Sequence, residues 1–396
     1  MKTKSNVLQF WAVPAVAAAL GAFIAAPSQA RDVNDLMMKA VGTTENVSPV
    51  IVEAIKRAAV DLTPEQRALA LKCWKDSVCE TGHGTLTVAY ADGFGENVWR
   101  QVTKMEFIAQ ALTYPEIKKI VYTSAGGDAT KAISDLRAFV AQKVDVIVIF
   151  ADAGAALLPT VKEATEAGIL VVLHNGTDIG GKAGKDYVSS VAENVCGLGV
   201  GFIKAVADNS SKDPTTVVEL GGTPGNPLSA TWQKCSDEEL AKHKNMKLLG
   251  KADTNWTQEG SFQAMTGFLS QNGSVDSVVY EYADGFRGGL RAWQAANKKP
   301  DVIVALRTDE QGLFCDWEKV NDPNFKIFYS NGQNDQSRFA LTAAMMKKEG
   351  KDVPTNIDVP FKMKPVVKGM CNPALPEDAS VSTLVDDDLM KAMFAK

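Results

Sequence analysis

The sequence predicts an α/β protein built from two lobes, each with a parallel sheet that carries helices on both faces. Short apolar runs typical of buried strands alternate with helical patterns from residue 85 to residue 306. Two of these series align, because VDVIVIFADAG at Val144–Gly154 matches VDSVVYEYADG at Val275–Gly285. An Asp and a Gly also follow several apolar runs, as in YADGF at Tyr90–Phe94. We therefore expect two similar lobes in tandem rather than one large sheet.

The N-terminus has the pattern of a secretory signal peptide. Lys2 and Lys4 precede the apolar run Phe10–Ala26, and the small residue Ala30 follows. The alternative is an uncleaved membrane anchor, but the run is short for a span and contains Pro14. We expect residues 1–30 to be a signal peptide that is cleaved near Ala30, which leaves a soluble protein in the periplasm.

Composition argues against a nucleic-acid partner and against a metal centre. The chain has a formal net charge of −5 and no cluster of Lys and Arg. Its three His show no ligand spacing and it has no CxxC pair, so we predict no metal and no other cofactor.

The six Cys predict disulfides, because an exported protein meets an oxidising environment. The close spacing of Cys73 and Cys79 favours one small closed loop. Many connectivities remain open for six Cys, and the other candidate pairs are Cys196 with Cys235 and Cys315 with Cys371.

Residues 31–84 carry helical periodicity ahead of the first lobe. The apolar residues of Val50–Ala59 fall on one helical stripe. Thr63 and Pro64 then form a cap-like start for a helix that reaches Trp74. We expect an appended helical layer, the N-terminal helical extension.

The first series of elements predicts a lobe over residues 85–190. Asp128 precedes a helical stripe and is a typical N-cap. The predicted strands are Thr85–Tyr90, Lys119–Tyr122, Val144–Phe150 and Ile169–His174, and the predicted helices are Glu96–Leu112, Ala129–Gln142 and Ala155–Ala167.

The second series predicts the other lobe over residues 191–333. Its predicted strands are Thr216–Leu220, Leu248–Ala252, Ser277–Tyr282 and Val302–Leu306, and its helices are Glu193–Asp208, Ala230–His243, Glu259–Ser270 and Gly288–Asn297. The remainder, from Phe325, has too few elements for a third lobe. We assign residues 334–350 to the first lobe and residues 351–396 to the second.

Two facing α/β lobes form a cleft, and groups at the carboxyl ends of the strands line it. Planar polar side chains suit the paired hydroxyls of a sugar or polyol, and flat rings cover its apolar face. The candidate ligand-binding residues are Asp92, Phe94, Glu96, Trp99, Asp152, His174, Asn175, Asn226, Trp232, Trp256, Asp284, Arg307, Asn331 and Gln333.

Each candidate also has a structural interpretation. The Asp-Gly pairs are common turns, and Trp99 and Trp232 fit a helix core equally well. His174 ends an apolar strand, where a buried structural His competes with a ligand contact. Arg307 is either a ligand clamp or half of an ion pair between the lobes. Trp256 lies in a polar loop, which favours ligand stacking.

Catalytic interpretations find less support. A glycosidase needs two carboxylates, which Asp92, Asp152 and Asp284 can supply. The sequence has no Gly-x-Ser-x-Gly elbow and no Cys–His pairing of a nucleophile site. The loop Gly221–Pro227 lacks the glycine spacing of a dinucleotide site. We predict that the protein is not an enzyme, with a carbohydrate-active enzyme as the alternative.

Two long segments resemble the periplasmic sugar-binding proteins of ABC importers, in the ribose- and galactose-binding group. They are DATKAISDLRAFVAQKVDVIVIFADAGAALLPTVKEATEAGILVVLHN at Asp128–Asn175 and YEYADGFRGGLRAW at Tyr280–Trp293. The resemblance covers about Thr85 to Val367. It implies the type I periplasmic-binding-protein fold, in which a three-strand hinge joins two Rossmann-like lobes. Here the crossings fall near Val188–Glu193, Ser330–Asn334 and Lys351–Asn356.

The resemblance also implies a function. Such proteins close on one sugar and deliver it to a membrane permease, and we expect a monomer. Family aromatic positions fall on Phe94, Trp99 and Trp256. The chain departs from the family at His174 and at Arg307, where an Asp is usual, and an Arg there suits a ligand with a carboxylate or more acceptor oxygens. A receptor-linked sensing module and a binder of nucleosides or amino acids are further alternatives.

Overall fold

A computed structural model describes residues 30–95, 97–176 and 178–395. The predicted signal peptide therefore falls outside the described residues up to position 29, as does the candidate Glu96. Within the described ranges, every helix is too short or too polar to span a bilayer.

The strands of the described chain alternate with helices in sequence. They are β1 (Val78–Glu80), β2 (Leu86–Asp92), β3 (Ile117–Ser124), β4 (Val146–Phe150), β5 (Leu170–His174), β6 (Ser189–Ala192), β7 (Thr215–Gly221), β8 (Met246–Asp253), β9 (Ser277–Tyr280), β10 (Ile303–Leu306), β11 (Lys326–Tyr329), β12 (Asn356–Asp358) and β13 (Lys364–Pro365).

The helices lie between these strands and at both ends of the described chain. They are α1 (Val33–Ala40), α2 (Pro49–Ala58), α3 (Pro64–Lys75), α4 (Val98–Ala111), α5 (Ala129–Gln142), α6 (Leu158–Glu166), α7 (Val195–Ala207), α8 (Pro227–Leu240), α9 (Gln258–Asn272), α10 (Ala283–Ala295), α11 (Gln311–Val320), α12 (Gln336–Lys348) and α13 (Asp387–Met393).

The strands form two separate sheets, which confirms the predicted fold class. Among the described residues, the first sheet has the order β1-β3-β2-β4-β5-β6-β12 and the second has the order β13-β11-β10-β9-β7-β8. Only β1 and β13, each at a sheet edge, pair antiparallel to their neighbours. The central strands are buried on both faces, since every residue of β4, β9 and β10 is buried. This explains why they read as continuous apolar runs.

Local signals set several helix boundaries as predicted. The carboxylate of Asp128 accepts hydrogen bonds from the amides of Thr130 and Lys131, so α5 begins at Ala129. The largest shift from a predicted boundary is at the start of α10. Strand β9 ends at Tyr280 and α10 begins at Ala283, so Asp284 lies in a first helical turn rather than in a turn at a strand end.

The N-terminal helical extension packs on the first lobe and also contributes a strand. Thr63 and Gln66 form a capping box at the start of α3. Helix α2 contacts α12, and α3 contacts α4. Strand β1 then joins the edge of the first sheet beside β3.

The C-terminal part divides between the lobes differently from the predicted assignment of 351–396 to the second lobe. Strand β12 pairs with β6 in the first sheet, whereas β13 pairs with β11 in the second. The third crossing therefore lies between residues 358 and 364, after the predicted crossing at Lys351–Asn356. Further on, α13 contacts α3 of the extension.

Three disulfides confirm the candidate pairs. Cys73–Cys79 joins α3 to β1, Cys196–Cys235 joins α7 to α8, and Cys315–Cys371 joins α11 to the C-terminal segment. They cross-link neighbouring elements within the extension and within the second lobe.

Candidate ligand-binding cleft

The carboxyl-end edges of the two sheets face each other across a narrow cavity of about 20 Å³. Ligands bind at this edge in open α/β sheets. The cavity is lined by Asn97, Trp99, Arg100, Phe150, Asn175, Leu228, Trp256, Glu281, Tyr282, Arg307 and Thr308. Both lobes contribute to it, which agrees with the predicted position of the cleft.

Helix α4 places two of these side chains. Asn97 caps the helix by accepting a hydrogen bond from the amide of Arg100, at 3.0 Å. Trp99 and Arg100 therefore lie in its first turn. The indole Nε1 of Trp99 donates to the Gly332 carbonyl at 2.6 Å, and its ring meets Phe150 edge-on at 5.8 Å.

Arg100 joins the carboxylates of Asp92 and Asp152. Its Nη1 lies 2.6 Å from Asp92 Oδ1, and its Nη2 lies 2.9 Å from Asp152 Oδ1. The guanidinium carbon is 3.4 Å from the centre of the Phe150 ring, a cation–π contact. Burial lowers the pKa of Arg100, but Asp152 and Asp92 outweigh burial and raise it overall. The two predicted carboxylates thus share one cation that the sequence interpretation omitted.

Asp92 and Asp152 also hold their surroundings in place. Asp92 Oδ1 accepts from the amide of Phe94 at 3.0 Å, so the Asp-Gly segment is a turn as well as a charged site. Burial raises the pKa of Asp152, although Arg100 and a hydrogen bond with Asn226 of the other lobe oppose this.

Glu281 is the main acidic group that the second lobe directs into the cavity. Its carboxylate accepts from Ser229 Oγ at 2.5 Å, Trp232 Nε1 at 2.6 Å and Trp256 Nε1 at 2.9 Å. Burial raises the pKa of Glu281, while the hydrogen bond from Ser229 and the charge of Arg307 oppose this rise. Glu281 comes directly after β9, but the predicted strand extended to Tyr282, so the strand-end rule that selected Asp152 passed over it.

Asp284, which the sequence interpretation chose instead, points away from the cavity. It accepts from Gln258 Nε2 at 2.9 Å and lies 3.8 Å from Arg287 Nη1. The reason is the early start of α10, which turns the side chain of Asp284 toward α9.

Trp256 reaches the cavity from a strained loop after β8. Asn255 and Trp256 both have positive φ, at 54° and 50°. Its ring lies against Gly222, where an added Cβ would come within 2.1 Å of Trp256 Cε2. The ring also meets Phe94 of the first lobe edge-on, with the centroids 5.6 Å apart. This contact joins the two lobes.

Arg307 forms an ion pair with Glu193 of the first crossing and a hydrogen bond with Asn175 of the first lobe. Its Nε lies 2.5 Å from Glu193 Oε1, and its Nη2 donates to Asn175 Oδ1. The guanidinium carbon also lies 5.4 Å from the centre of the Trp99 ring. Arg307 lines the cavity, yet its charge is matched by Glu193.

The remaining candidates lie around the cavity rather than in its lining. His174 packs between Tyr90 and Phe150, and burial, with the charges of Arg100 and Arg307, holds the pKa of His174 well below its usual value. Trp232 packs in the second lobe against Phe202. Asn226 caps α8, Asn331 donates to the Ala40 carbonyl, and Gln333 accepts from Gln336.

The cavity therefore combines aromatic rings with hydrogen-bonding groups, and its two cations, Arg100 and Arg307, are already paired with carboxylates. Four of its residues were predicted from the sequence, namely Trp99, Asn175, Trp256 and Arg307. Among the described residues, no group of three or more His, Cys, Asp or Glu side chains is arranged to hold a metal ion. Such a site can exchange hydrogen bonds with neutral hydroxyls and cover an apolar sugar face.

Sequence comparisons match the chain to one family and to characterised relatives. The family model for the periplasmic binding protein domain matches residues 91–352. The xylitol-binding protein of Mycolicibacterium smegmatis is 26% identical over 200 residues, which is 49% of this chain and only 55% of the relative. The galactofuranose-binding protein of Escherichia coli K12 is 28% identical over 231 residues, which is 55% of this chain and 70% of that protein.

Solved structures share the two-lobed fold. A galactofuranose binding protein superposes with a TM-score of 0.63 and 21% identity, over 71% of this chain and 94% of that one. The arabinose-binding component from Shewanella sp. ANA-3, solved with L-arabinofuranose, gives a TM-score of 0.64 and 21% identity, over 70% and 91% of the two chains.

Proposed function

Because the chain belongs to the periplasmic binding protein family, we propose that it captures a neutral monosaccharide or polyol and delivers it to the permease of an ABC importer. The observation that carries this proposal is the cavity between the two sheet edges, where Trp99 and Trp256 flank hydrogen-bonding groups from both lobes. The family acts in the periplasm or outside the cell, and cleavage of the signal peptide near Ala30 belongs to the proposal. So does a monomeric protein without a cofactor.

The pairing of charges favours a neutral ligand. The sequence alone suggested that Arg307 suits a ligand carboxylate, but Glu193 lies 2.5 Å from Arg307 Nε. Arg100 is likewise shared by two carboxylates. An anionic ligand would have to displace one of these buried pairs, which is costly. The names of the two curated relatives, a xylitol-binding and a galactofuranose-binding protein, support the same ligand class.

The same contacts favour binding without catalysis. A glycosidase acid must hold a proton beside the scissile bond and then release it. Asp92 and Asp152 are instead held by Arg100, and Glu281 accepts from three donors. We propose that no bond of the ligand is made or broken, and that the two lobes rotate about the three crossings to close on it.

A thermal-shift panel tests this function. A ligand that binds only the folded protein raises its melting temperature. The panel contains neutral monosaccharides, polyols, sugar acids, nucleosides and amino acids, and a parallel glycoside assay looks for product. We expect a rise with at least one neutral sugar or polyol and no product. The absence of any such rise, or product formation that disappears in Asp92→Asn, would refute the proposal.

A further inference from the structure

The C-terminal segment beyond the family match connects the two lobes a fourth time. The residues Ser380–Val385, which we call the C-terminal strap, are all buried or nearly so. The Ser382 amide donates a hydrogen bond to Asp309 of the second lobe, and the hydroxyl of the next residue, Thr383, donates to Glu106 of the first lobe. Two residues that are joined by one peptide bond are thus held by different lobes.

The second-lobe anchor is Asp309, which is fully buried a few residues after β10. Its Oδ1 accepts from Ser380 Oγ at 2.5 Å, and its Oδ2 accepts from the Ser382 amide at 3.0 Å. The Asp309 carbonyl also accepts from the amide of Val381 at 3.1 Å. Hydrogen bonds to a buried carboxylate are among the strong ones.

The first-lobe anchor is Glu106 in the middle of α4, which is also fully buried. Its Oε1 accepts from Thr383 Oγ1 at 2.5 Å and from the amides of Leu384 and Val385 at 2.7 and 3.3 Å. Its other oxygen pairs with Arg338 of α12. Each anchor is therefore a buried carboxyl group whose hydrogen bonds the strap helps to supply.

The strap also contacts the crossing near Ser330–Asn334. Ser382 Oγ accepts from the Gly332 amide at 2.6 Å, and the Gly332 carbonyl accepts from the cavity residue Trp99. The neighbouring Asn331 donates to the Ala40 carbonyl at the end of α1. The strap, the crossing and the cavity are thus joined through consecutive hydrogen bonds.

From this geometry we infer that the C-terminal strap is a clasp that holds the lobes together and sets how readily the cleft opens. Consecutive Cα atoms are only about 3.8 Å apart, so the strap has no slack between its two anchors. A rotation that moves Asp309 away from Glu106 must break one set of hydrogen bonds. The inference rests on the proposed function only in that opening and closing of the cleft governs ligand access.

Inserting two glycines between Ser382 and Thr383 tests the clasp. The insertion keeps both anchors and adds roughly 7 Å of slack. In the absence of ligand, we expect small-angle X-ray scattering to give a larger radius of gyration than for the unmodified protein. The matched control inserts two glycines between the exposed residues Pro373 and Ala374, and it should leave the radius unchanged.

A second variant tests the clasp even if the glycine insertion prevents folding. Ser380→Ala with Thr383→Val removes one hydroxyl donor from each anchor and leaves the backbone contacts in place. It should also increase the radius of gyration, with an unchanged circular dichroism spectrum. Unchanged radii in a folded variant of either kind would overturn the clasp. A wider ligand-free protein that binds none of the sugars or polyols would refute the proposed function and leave the clasp intact.

Discussion

At the scale of single residues, Arg100 is the cation that pairs with two buried carboxylates on the first-lobe side of the cleft. It lies between Asp92 and Asp152, whose side chains are 0% and 12% exposed. These two carboxylates lie close to each other and to apolar rings, and the guanidinium is the cation that contacts both of them.

Replacing Arg100 should therefore destabilise the fold strongly. Arg100→Met leaves two buried carboxylates without their cation, and we expect the free energy of unfolding to fall by about 3–5 kcal/mol. The matched control is Arg137→Met, because Arg137 is 60% exposed and lies 3.6 Å from Glu163; the expected change is less than about 1 kcal/mol. Urea denaturation measures both variants, and equal costs would contradict this role of Arg100.

Trp256 should contribute directly to ligand affinity. Its ring lines the cavity, and truncation removes the flat face that would cover a sugar. We expect Trp256→Ala to weaken binding of the ligand found in the thermal-shift panel by about 1–3 kcal/mol.

Two further variants test whether the loss of affinity is specific to the ring of Trp256. Trp256→Phe keeps an aromatic face but loses the hydrogen bond to Glu281, so its affinity should be intermediate. Trp317→Phe alters a tryptophan that donates to the Phe325 carbonyl outside the cavity and should leave affinity unchanged. Wild-type affinity in a folded Trp256→Ala protein would exclude the stacking role.

The sequence predicted the aromatic part of the cleft better than its charges. Asn175, Trp256 and Arg307 follow predicted strands, so the strand-end rule is enough to place them, whereas Trp99 was selected as an aromatic residue on the helix after the first strand. Arg100 could not be found in the same way, because it lies on a helix and meets Asp152 only through the tertiary fold. Its only sequence signal is its position in the first turn after Asn97.

At the scale of elements, the start of α10 decides which acidic group faces the cavity. Thr308 Oγ1 accepts from the Ala283 amide at 2.7 Å, and Glu310 Oε2 accepts from the Asp284 amide at 3.2 Å. These residues after β10 satisfy the free amides of the helix and set its first turn. The sequence pattern extended β9 to Tyr282 because these long-range partners are not visible in a local pattern.

Glu310 makes stability depend on pH. Burial raises the pKa of Glu310 from 4.5 to about 8, and the hydrogen bond from the Thr308 hydroxyl opposes this rise. Between these two values the folded protein holds a proton that the unfolded chain releases, so stability falls as the pH rises from about 5 to 8. Burial also raises the pKa of Asp335 well above its usual value, which acts in the same direction.

Thermal unfolding across this pH range tests the contribution of Glu310. Glu310→Gln can still accept hydrogen bonds but does not titrate, so its melting temperature should fall less between pH 5 and pH 8. The exposed Glu259→Gln is the control and should follow the wild-type slope. An identical slope in Glu310→Gln would show that Glu310 does not hold the proton.

At the scale of the whole molecule, two lobes follow from the alternation of elements and three crossings from the family resemblance, whereas the path of the C-terminal part follows from neither. Strand β12 has three residues, and its pairing with β6 bridges more than 160 positions of sequence. The switch of the C-terminal strap between lobes depends on Asp309 and Glu106, which are far away in the chain. Such contacts carry no periodic signal.

The lobes enclose a cavity whose two cations are matched by carboxylates, and this is what a neutral polyhydroxylated ligand requires. Calorimetric titration of a neutral sugar or polyol from the panel, and of its sugar acid, tests this claim most directly. We predict one ligand per chain, a negative heat-capacity change from burial of apolar surface, and binding of the acid weaker by at least about tenfold, or 1.4 kcal/mol. Tighter binding of the acid, or no binding of any neutral sugar or polyol, would contradict the account.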